Sequence, residues 1–302
     1  MDKCFICGGK FLFYMSGKDY NSNVTNKEFT IKKCSSCGVE LLSPIPTYNE
    51  IVSYYPVNYY SYNIKSRKKG IFDKAIDLGF KNKLFGKFLD RRKMGIPFII
   101  KGKYFLDIGC GDGAILDLLQ KQGWNVYGFE IGDKKVAGNI YYDTNFVDVD
   151  YGDIKFDFIR ISHVFEHLTN PIEFLEKLKL ISNSNTIIDI TLPNTKSFDA
   201  YVFGKYWSNR DVPRHIINYN IDNFELLIKK YGFVILKKRY LLGFGMGGSI
   251  INLLKYKYGD SKIYKLFQNK FISLLILFFD FILSFFHLGD HIGFRIKLYN
   301  NK

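Results

Sequence analysis

Cysteine is scarce in this chain, with five in 302 residues. Four of the five fall in two C-x-x-C pairs, Cys4/Cys7 and Cys34/Cys37, a grouping that excludes a disulfide framework and points to a metal site. Histidine (five), methionine (four) and tryptophan (two) are few as well, and so is proline (seven). Acids are outnumbered, 29 against 43 bases, for a net charge of +14. The stretch Met1-Asp2-Lys3-Cys4 lacks the apolar core of a signal peptide, so a cytoplasmic protein is expected. With 47% hydrophobic and 24% charged residues the chain is not disordered, and its length suits one α/β core plus a small module.

The excess charge is local. Residues 65–93 carry eleven bases against Asp73, Asp77 and Asp90, and residues 229–270 carry ten against Asp260 alone. Such segments suit an anionic membrane surface, a phosphorylated substrate or nucleic acid.

Cys4-Phe5-Ile6-Cys7-Gly8 and Cys34-Ser35-Ser36-Cys37-Gly38 are matching halves of one site. Two intervening residues let both thiolates of a pair face one ion, and the glycine after each second cysteine permits a tight turn. Four thiolates close a tetrahedral site, so Cys4, Cys7, Cys34 and Cys37 are read as ligands of structural zinc, with an iron–sulfur centre or a reversible dithiol as alternatives. This zinc ribbon is expected over residues 1–45. A connector comes next over 46–95, first aromatic (Tyr54-Tyr55-Pro56-Val57-Asn58-Tyr59-Tyr60), then basic and amphipathic from Ile71 to Leu89. The tyrosines either pack the knob onto the main domain or form a lid over a substrate mouth.

In the remainder, 96–302, Lys103 to Ile108 reads as a buried strand feeding a glycine-rich turn, Gly109-Cys110-Gly111-Asp112-Gly113. Ala114 to Gln120 reads as a helix, and Asn125 to Glu130 as a second strand ending in an acid. This is the βαβ start of a doubly wound α/β sheet that binds a nucleoside at its strand ends. Glycines admit a ligand to the backbone, and Glu130 offers two oxygens to a ribose. No lysine sits in the turn, which excludes a P-loop. Gly109, Gly111 and Ala114 also satisfy a looser dinucleotide fingerprint, so a nicotinamide enzyme stays open on this motif alone.

Further motifs narrow the reading. Asp107-Ile108-Gly109-Cys110-Gly111-Asp112-Gly113 resembles the first motif of class I S-adenosylmethionine-dependent methyltransferases. Phe156 to Leu168, containing His163, Glu166 and His167, resembles their fourth-strand motif, and Ile187 to Asn194 their fifth strand. Trp207-Ser208-Asn209-Arg210-Asp211-Val212-Pro213-Arg214-His215 resembles a motif of a subgroup with N-terminal zinc ribbons, associated with methylation of sugars, polysaccharides and lipid-linked glycans. The resemblance implies a seven-stranded Rossmann-like domain binding S-adenosylmethionine through Asp107, Gly109, Gly111, Gly113, Glu130 and His163. Asp107 would meet the ammonium group, and Asp148 or Asp150 would stand by the adenine. A hydroxyl or carbon acceptor needs a base, and His167, His215 and His163 are the candidates in that order. Arg214 would clamp an acidic or phosphorylated substrate group, with Trp207 beside it. Ribonucleic acid methylation and a non-catalytic membrane-bound scaffold are the alternatives.

Phe271 to Gly289 is dominated by Leu, Ile and Phe around one acid, Asp280. Its length nearly reaches the ~30 Å of a bilayer core, but Asp280 at mid-span would cost roughly 3 kcal/mol, and Ile292 to Leu298 reads as the sheet's last, antiparallel strand. A helical insertion over about 243–289 is therefore expected. Its apolar face would lie on an anionic membrane, on a second copy of the chain in a homodimer, or against the domain.

Overall fold

The computed structural model describes residues 3–56, 78–82, 95–98, 100, 102–241, 243, 245–259 and 269–299. At the N-terminus, strands β1 (Phe11–Gly17), β2 (Phe29–Cys34) and β3 (Glu40–Ser43) form an antiparallel ribbon. Helix α1 (Tyr48–Ser53) comes next, started by a capping box in which Thr47 and Glu50 bond each other's backbone N–H groups. Residues 78–81 are helical, and the rest of the expected basic helix lies outside the described residues.

The main domain alternates strands and helices: β4 (Tyr104–Ile108), α2 (Ala114–Gln120), β5 (Asn125–Ile131), β6 (Lys135–Ala137), β7 (Ile140–Asp143), β8 (Phe158–Ser162), α3 (Pro171–Leu180), β9 (Ile187–Pro193) and α4 (Phe198–Phe203). Then come β10 (Ile217–Asn218), α5 (Ile221–Lys230), β11 (Phe233–Leu241), α6 (Gly245–Tyr258), α7 (Lys270–Phe285) and β12 (His291–Leu298). The large sheet runs β11-β12-β9-β8-β4-β5-β7-β6. Its five central strands, β9 to β7, are parallel, and β12 is antiparallel to both neighbours. This is the expected α/β Rossmann-like methyltransferase fold, with the three-residue β6 as an eighth strand at one edge. The central strands β4, β8 and β9 read as largely apolar runs because both faces are covered; Phe105, Leu106, Phe158, Ile159, Ile188 and Ile190 are fully buried.

A row of charge crosses this apolar sheet. Asp107 on β4, Arg160 on β8, Asp189 on β9 and Arg295 on β12 occupy successive registered positions. Arg160 Nη1 lies 2.8 Å from Asp107 Oδ1, and Asp189 accepts from Arg295 at 2.8 Å and from Arg239 of β11 at 2.6 Å. Opposite charges directly across a ladder satisfy each other, so the row is a closed set of buried pairs.

The N-terminal ribbon is joined to the domain rather than tethered. Strand β10 pairs with β3, making the ribbon a four-stranded sheet. Above that seam, residues 207–215 act as a clamp. Arg210 pairs with Glu40, and both are buried. Arg214 is fully buried, with its Nη2 2.7 Å from both Asp19 Oδ1 and Asp211 Oδ1, while Nη1 donates to the Tyr54 carbonyl at 2.8 Å. The expected substrate role of Arg214 is thereby corrected, because its fork is used up on Asp19, Asp211 and the Tyr54 carbonyl. Trp207 is corrected for the same reason: it is 1% exposed and donates Nε1–H to Asp290 at 2.8 Å.

The hydrophobic insertion lies between β11 and β12 as helices α6 and α7, and no helix among the described residues is long and apolar enough to cross a membrane. Its outward side is unusual. Asp280 is buried and Ser284 half-buried, whereas Leu275 (54% exposed), Phe278 (62%) and Phe285 (76%) face outward.

Replacing Arg214 with Ala is expected to leave Asp19 and Asp211 as unpaired buried carboxylates and to cost about 3–5 kcal/mol of stability. Urea denaturation checks this, and a loss under ~1 kcal/mol would mean that the clamp does not hold the ribbon.

Candidate functional site

Two sites emerge. In the ribbon, both C-x-x-C segments fold into the same tight turn: Gly8 N–H bonds to the Cys4 carbonyl at 2.8 Å and Gly38 N–H to the Cys34 carbonyl at 3.0 Å. Gly8 and Gly38 hold φ of 76° and 73°, left-handed conformations that glycine adopts without strain. The turns bring Cys4 Sγ to 3.6 Å from Cys37 Sγ and Cys7 Sγ to 3.5 Å from Cys34 Sγ. All four sulfurs lie within 4.8 Å of one another. Tetrahedral zinc with ~2.3 Å bonds separates its sulfurs by ~3.8 Å, so the donor set fits that ion.

The second site is a cavity of about 1380 Å³ above the carboxyl ends of the parallel strands. That exceeds the roughly 300–1,000 Å³ of a typical small-molecule pocket, and leaves room for a cofactor and an acceptor together. One wall is the glycine turn. Gly109 and Gly111 line it with φ of 76° and 58°, and a Cβ on Gly109 would stand 2.6 Å from Val164. At the end of β5, Glu130 lines the same wall and accepts from Gly111 N–H at 2.7 Å and from Ile131 N–H at 3.1 Å. Burial pushes the Glu130 carboxyl up, against the opposing pull of those two N–H groups. Gly113 does not line the cavity; it turns the chain into α2 as the helix N-cap, at φ 76°.

Three cofactor assignments from the sequence are revised by the strand geometry. Asp107 points into the charge row and bonds Arg160, so it is not placed to receive an ammonium group. The third parallel strand is β7, ending at Asp143, so Asp148 and Asp150 lie beyond it as exposed turn residues outside the cavity wall. Past the end of β7, Thr144, Asn145, Phe146 and Val147 continue that wall. Asp143 itself is buried and accepts from Thr144 N–H at 2.7 Å. The strand escaped the sequence reading because it is short, polar and aromatic, and carries no apolar run.

The segment after β8, next to the glycine turn, and the end of the 207–215 loop bring histidines to the cavity. His163 comes just after β8 with φ 57°, a left-handed conformation that is strained for a residue with a Cβ. Its Nδ1 lies 3.2 Å from Glu166 Oε1, and its ring meets His291 edge-on at 4.8 Å. His167 Nδ1 lies 3.0 Å from the Arg214 carbonyl and 3.2 Å from the Tyr55 hydroxyl. His215 Nδ1 lies 2.8 Å from the Asn209 carbonyl, and the His167 and His215 rings meet edge-to-face at 4.7 Å. All three line the cavity. Burial, reinforced by His215 nearby, lowers the His167 imidazole to about 4 despite the Glu166 carboxylate, so His167 is neutral at physiological pH. Burial alone would push Glu166 up, but the hydrogen bond from His163 and the surrounding imidazoles hold it down at about 2.

Several cavity residues were not singled out in the sequence. Asn21 and Ser22 come from the ribbon, Tyr48 from the first helix, and Asn252 and Lys255 from α6 of the insertion. The tyrosine run divides its labour: Tyr54 packs against Phe29 at 5.6 Å while Tyr55 faces the cavity. The run was visible in the sequence, but its division into packing and lining residues was not.

Residues 80–238 match the family described as Methyltransferase domain, more than half of the chain. Among curated proteins, the chain is 25% identical over 136 residues to the ubiquinone biosynthesis O-methyltransferase of Cereibacter sphaeroides, covering 41% of this chain and 55% of that one. It is 28% identical over 134 residues to the mitochondrial ubiquinone biosynthesis O-methyltransferase of Arabidopsis thaliana, covering 39% and 41%. The chain thus spans about half the length of the curated relatives it matches. Among solved structures, an S-adenosylmethionine-dependent methyltransferase from Archaeoglobus fulgidus aligns with a TM-score of 0.43 at 18% identity, over 74% of this chain and 94% of that one. By the family match, on a fold whose strands and glycine turn carry the corresponding motifs, the chain belongs to the methyltransferase domain family.

Proposed function

We propose that the protein transfers the methyl group of S-adenosylmethionine to an oxygen of a sugar- or glycan-type acceptor held near a membrane. The observation that carries this reading is a single cavity lined both by the glycine turn and Glu130, suited to an adenosyl ligand, and by His163, His167 and His215. Methyl transfer from a sulfonium is an in-line displacement: the carbon–sulfur bond breaks with its electron pair left on sulfur, and a carbon–oxygen bond forms. Catalysis is largely positioning, and the hydroxyl proton needs an acceptor. Carbonyl oxygens only accept, so the bonds from His167 to Arg214 and from His215 to Asn209 place each proton on Nδ1 and leave Nε2 to take the acceptor's proton. The names of the curated relatives favour oxygen over carbon as the methylated atom. Ser22 and Thr169 bring hydroxyl groups to the wall that suit a hydroxyl-rich acceptor, whereas Asn21, Asn209 and Asn252 donate their amide N–H groups within the protein. Calorimetry should register S-adenosylmethionine binding by the native protein, and Glu130→Ala should weaken it about tenfold or more, the worth of one or two hydrogen bonds to a charged group. Unchanged affinity in that variant, or no binding by the native protein, would overturn the assignment.

In the same reading, zinc closes the cysteine knob as a purely structural ion, since four thiolates leave no position for substrate. Elemental analysis of purified protein is expected to give one zinc per chain, dropping to near zero on Cys34→Ser. Protein that folds fully without metal would remove zinc from the picture.

The acceptor's membrane setting is inferred from the insertion. Helix α6 forms part of the cavity wall through Gly245, Gly248 and Ile251, and the neighbouring α7 turns Leu275, Phe278, Phe279 and Phe285 outward. In sequence, Lys257, Lys262, Lys265 and Lys270 come just before that face and would draw it to anionic lipid, whereas Lys229 and Lys238 pair with Glu225, Lys230 bonds the ribbon and Arg239 is buried against Asp189. Flotation with vesicles rich in phosphatidylserine should carry the native protein upward and leave a Phe278→Glu/Phe285→Glu double variant at the bottom. Native protein that sediments as a stable dimer would show instead that a second copy covers this face.

A further inference from the structure

Positioning of a methyl group leaves one feature of the cavity unexplained. Glu166, His167 and His215 each bring a ligand-capable atom to within 4.8 Å of the other two. Glu166 is 1% exposed, and although its Oε1 meets His163, its Oε2 has no hydrogen-bond partner among the described residues. A bare oxygen on a buried carboxylate is costly and rarely left unanswered. The two imidazoles are oriented alike, each with Nδ1–H directed to a main-chain carbonyl, at 3.0 Å for His167 and 2.8 Å for His215. That arrangement fixes the tautomer of a ligating histidine and leaves the Nε2 lone pair for an ion. The residues arrive from separate places, since Glu166 and His167 sit on the turn after β8 and His215 ends the 207–215 clamp. The main-chain bond from Ile216 N–H to the Glu166 carbonyl, 2.7 Å, holds the two segments together.

We propose that Glu166, His167 and His215 bind one divalent transition-metal ion, whose open positions face the cavity and take two adjacent oxygens of the acceptor. Two imidazoles and one carboxylate on one side of an ion are a donor set that leaves coordination positions free. At ~2.1 Å from the ion, neighbouring ligands lie ~3–3.4 Å apart, a spacing that modest side-chain rotation reaches from the observed arrangement. The acceptor class this favours is a vicinal diol or an α-hydroxy acid. Its identity as acceptor rests on the methyl-transfer reading above, whereas the ion site rests on the three side chains. With the ion present, a bound hydroxyl loses its proton to solvent more readily. The oxygen then takes the methyl group while sulfur keeps the electron pair, and the two histidines serve as ligands instead of as the base.

The test uses the full chain, stripped with chelator, reloaded with one equivalent of zinc for the cysteine knob, and titrated with Mn²⁺. Electron paramagnetic resonance counts the free ion. One Mn²⁺ per chain should bind beyond the zinc, and Glu166→Gln and His215→Ala should each weaken it at least about tenfold, because even the outer partners of metal ligands are worth 10–100-fold. Circular dichroism and melting temperature establish that the variants fold, and His167→Gln replaces any that does not. Native protein that leaves all the Mn²⁺ free, or variants that bind as tightly as the native chain, would overturn the site. S-adenosylmethionine titrated into the same samples separates the two readings. Cofactor binding without Mn²⁺ binding refutes the ion site and leaves methyl transfer standing. Mn²⁺ binding without cofactor binding supports the ion site and refutes methyl transfer.

Discussion

A guanidinium buried between two carboxylates is tolerated only when every one of its donors is met, and Arg214 meets that condition by drawing on both parts of the chain. Asp19 comes from the ribbon, the Tyr54 carbonyl from the end of the first helix, and Asp211 from the arginine's own loop. The cavity inherits its shape from that junction. Asn21 stands two residues from Asp19, Tyr55 is next to Tyr54, and His215 is next to Arg214, and all three line the wall. Loosening the guanidinium from any partner would therefore displace residues facing the ligand. The ribbon is thus part of the wall of the site through Asn21 and Ser22. Lys230 of α5 adds to the seam by donating to the Phe5 and Ile6 carbonyls at 2.9 and 3.0 Å.

The same rule of complete satisfaction governs the sheet. Asp107 stands where a ligand-binding acid was expected, yet alternation along β4 turns it to the row where Arg160 waits. Side chains of successive strand residues point to opposite faces, so a single position decides between cofactor and core. Once Asp107 and Asp189 are paired with arginines, the row closes and is withdrawn from chemistry. The cavity keeps Glu130, whose carboxylate is steadied by the backbone N–H groups of Gly111 and Ile131.

On the insertion the usual polarity is inverted. Asp280 is turned inward and phenylalanines outward, so α7 offers water the surface that a globular helix hides. The hydrophobic effect disfavours such a face unless something covers it. Because α6 borders the cavity and α7 packs against α6, whatever covers α7 also lies close to the cavity wall.

Local sequence determined much of this protein. The runs from Tyr104 to Ile108, Ala114 to Gln120 and Ile187 to Pro193 specify their own elements, because buried parallel strands must be continuously apolar and a glycine turn must precede the helix. The two C-x-x-C-Gly segments likewise carry their turn geometry within five residues. The pairing of Arg214 with Asp19 could not be read, since the partners are 195 positions apart and ion pairing leaves no periodic trace. The third parallel strand was hidden because its four residues form no apolar run, and with it the stretch of cavity wall from Thr144 to Val147 that follows it. Tertiary structure alone decided which histidine nitrogens are held by main-chain carbonyls, because a side chain's tautomer and direction depend on partners that only the folded chain brings near.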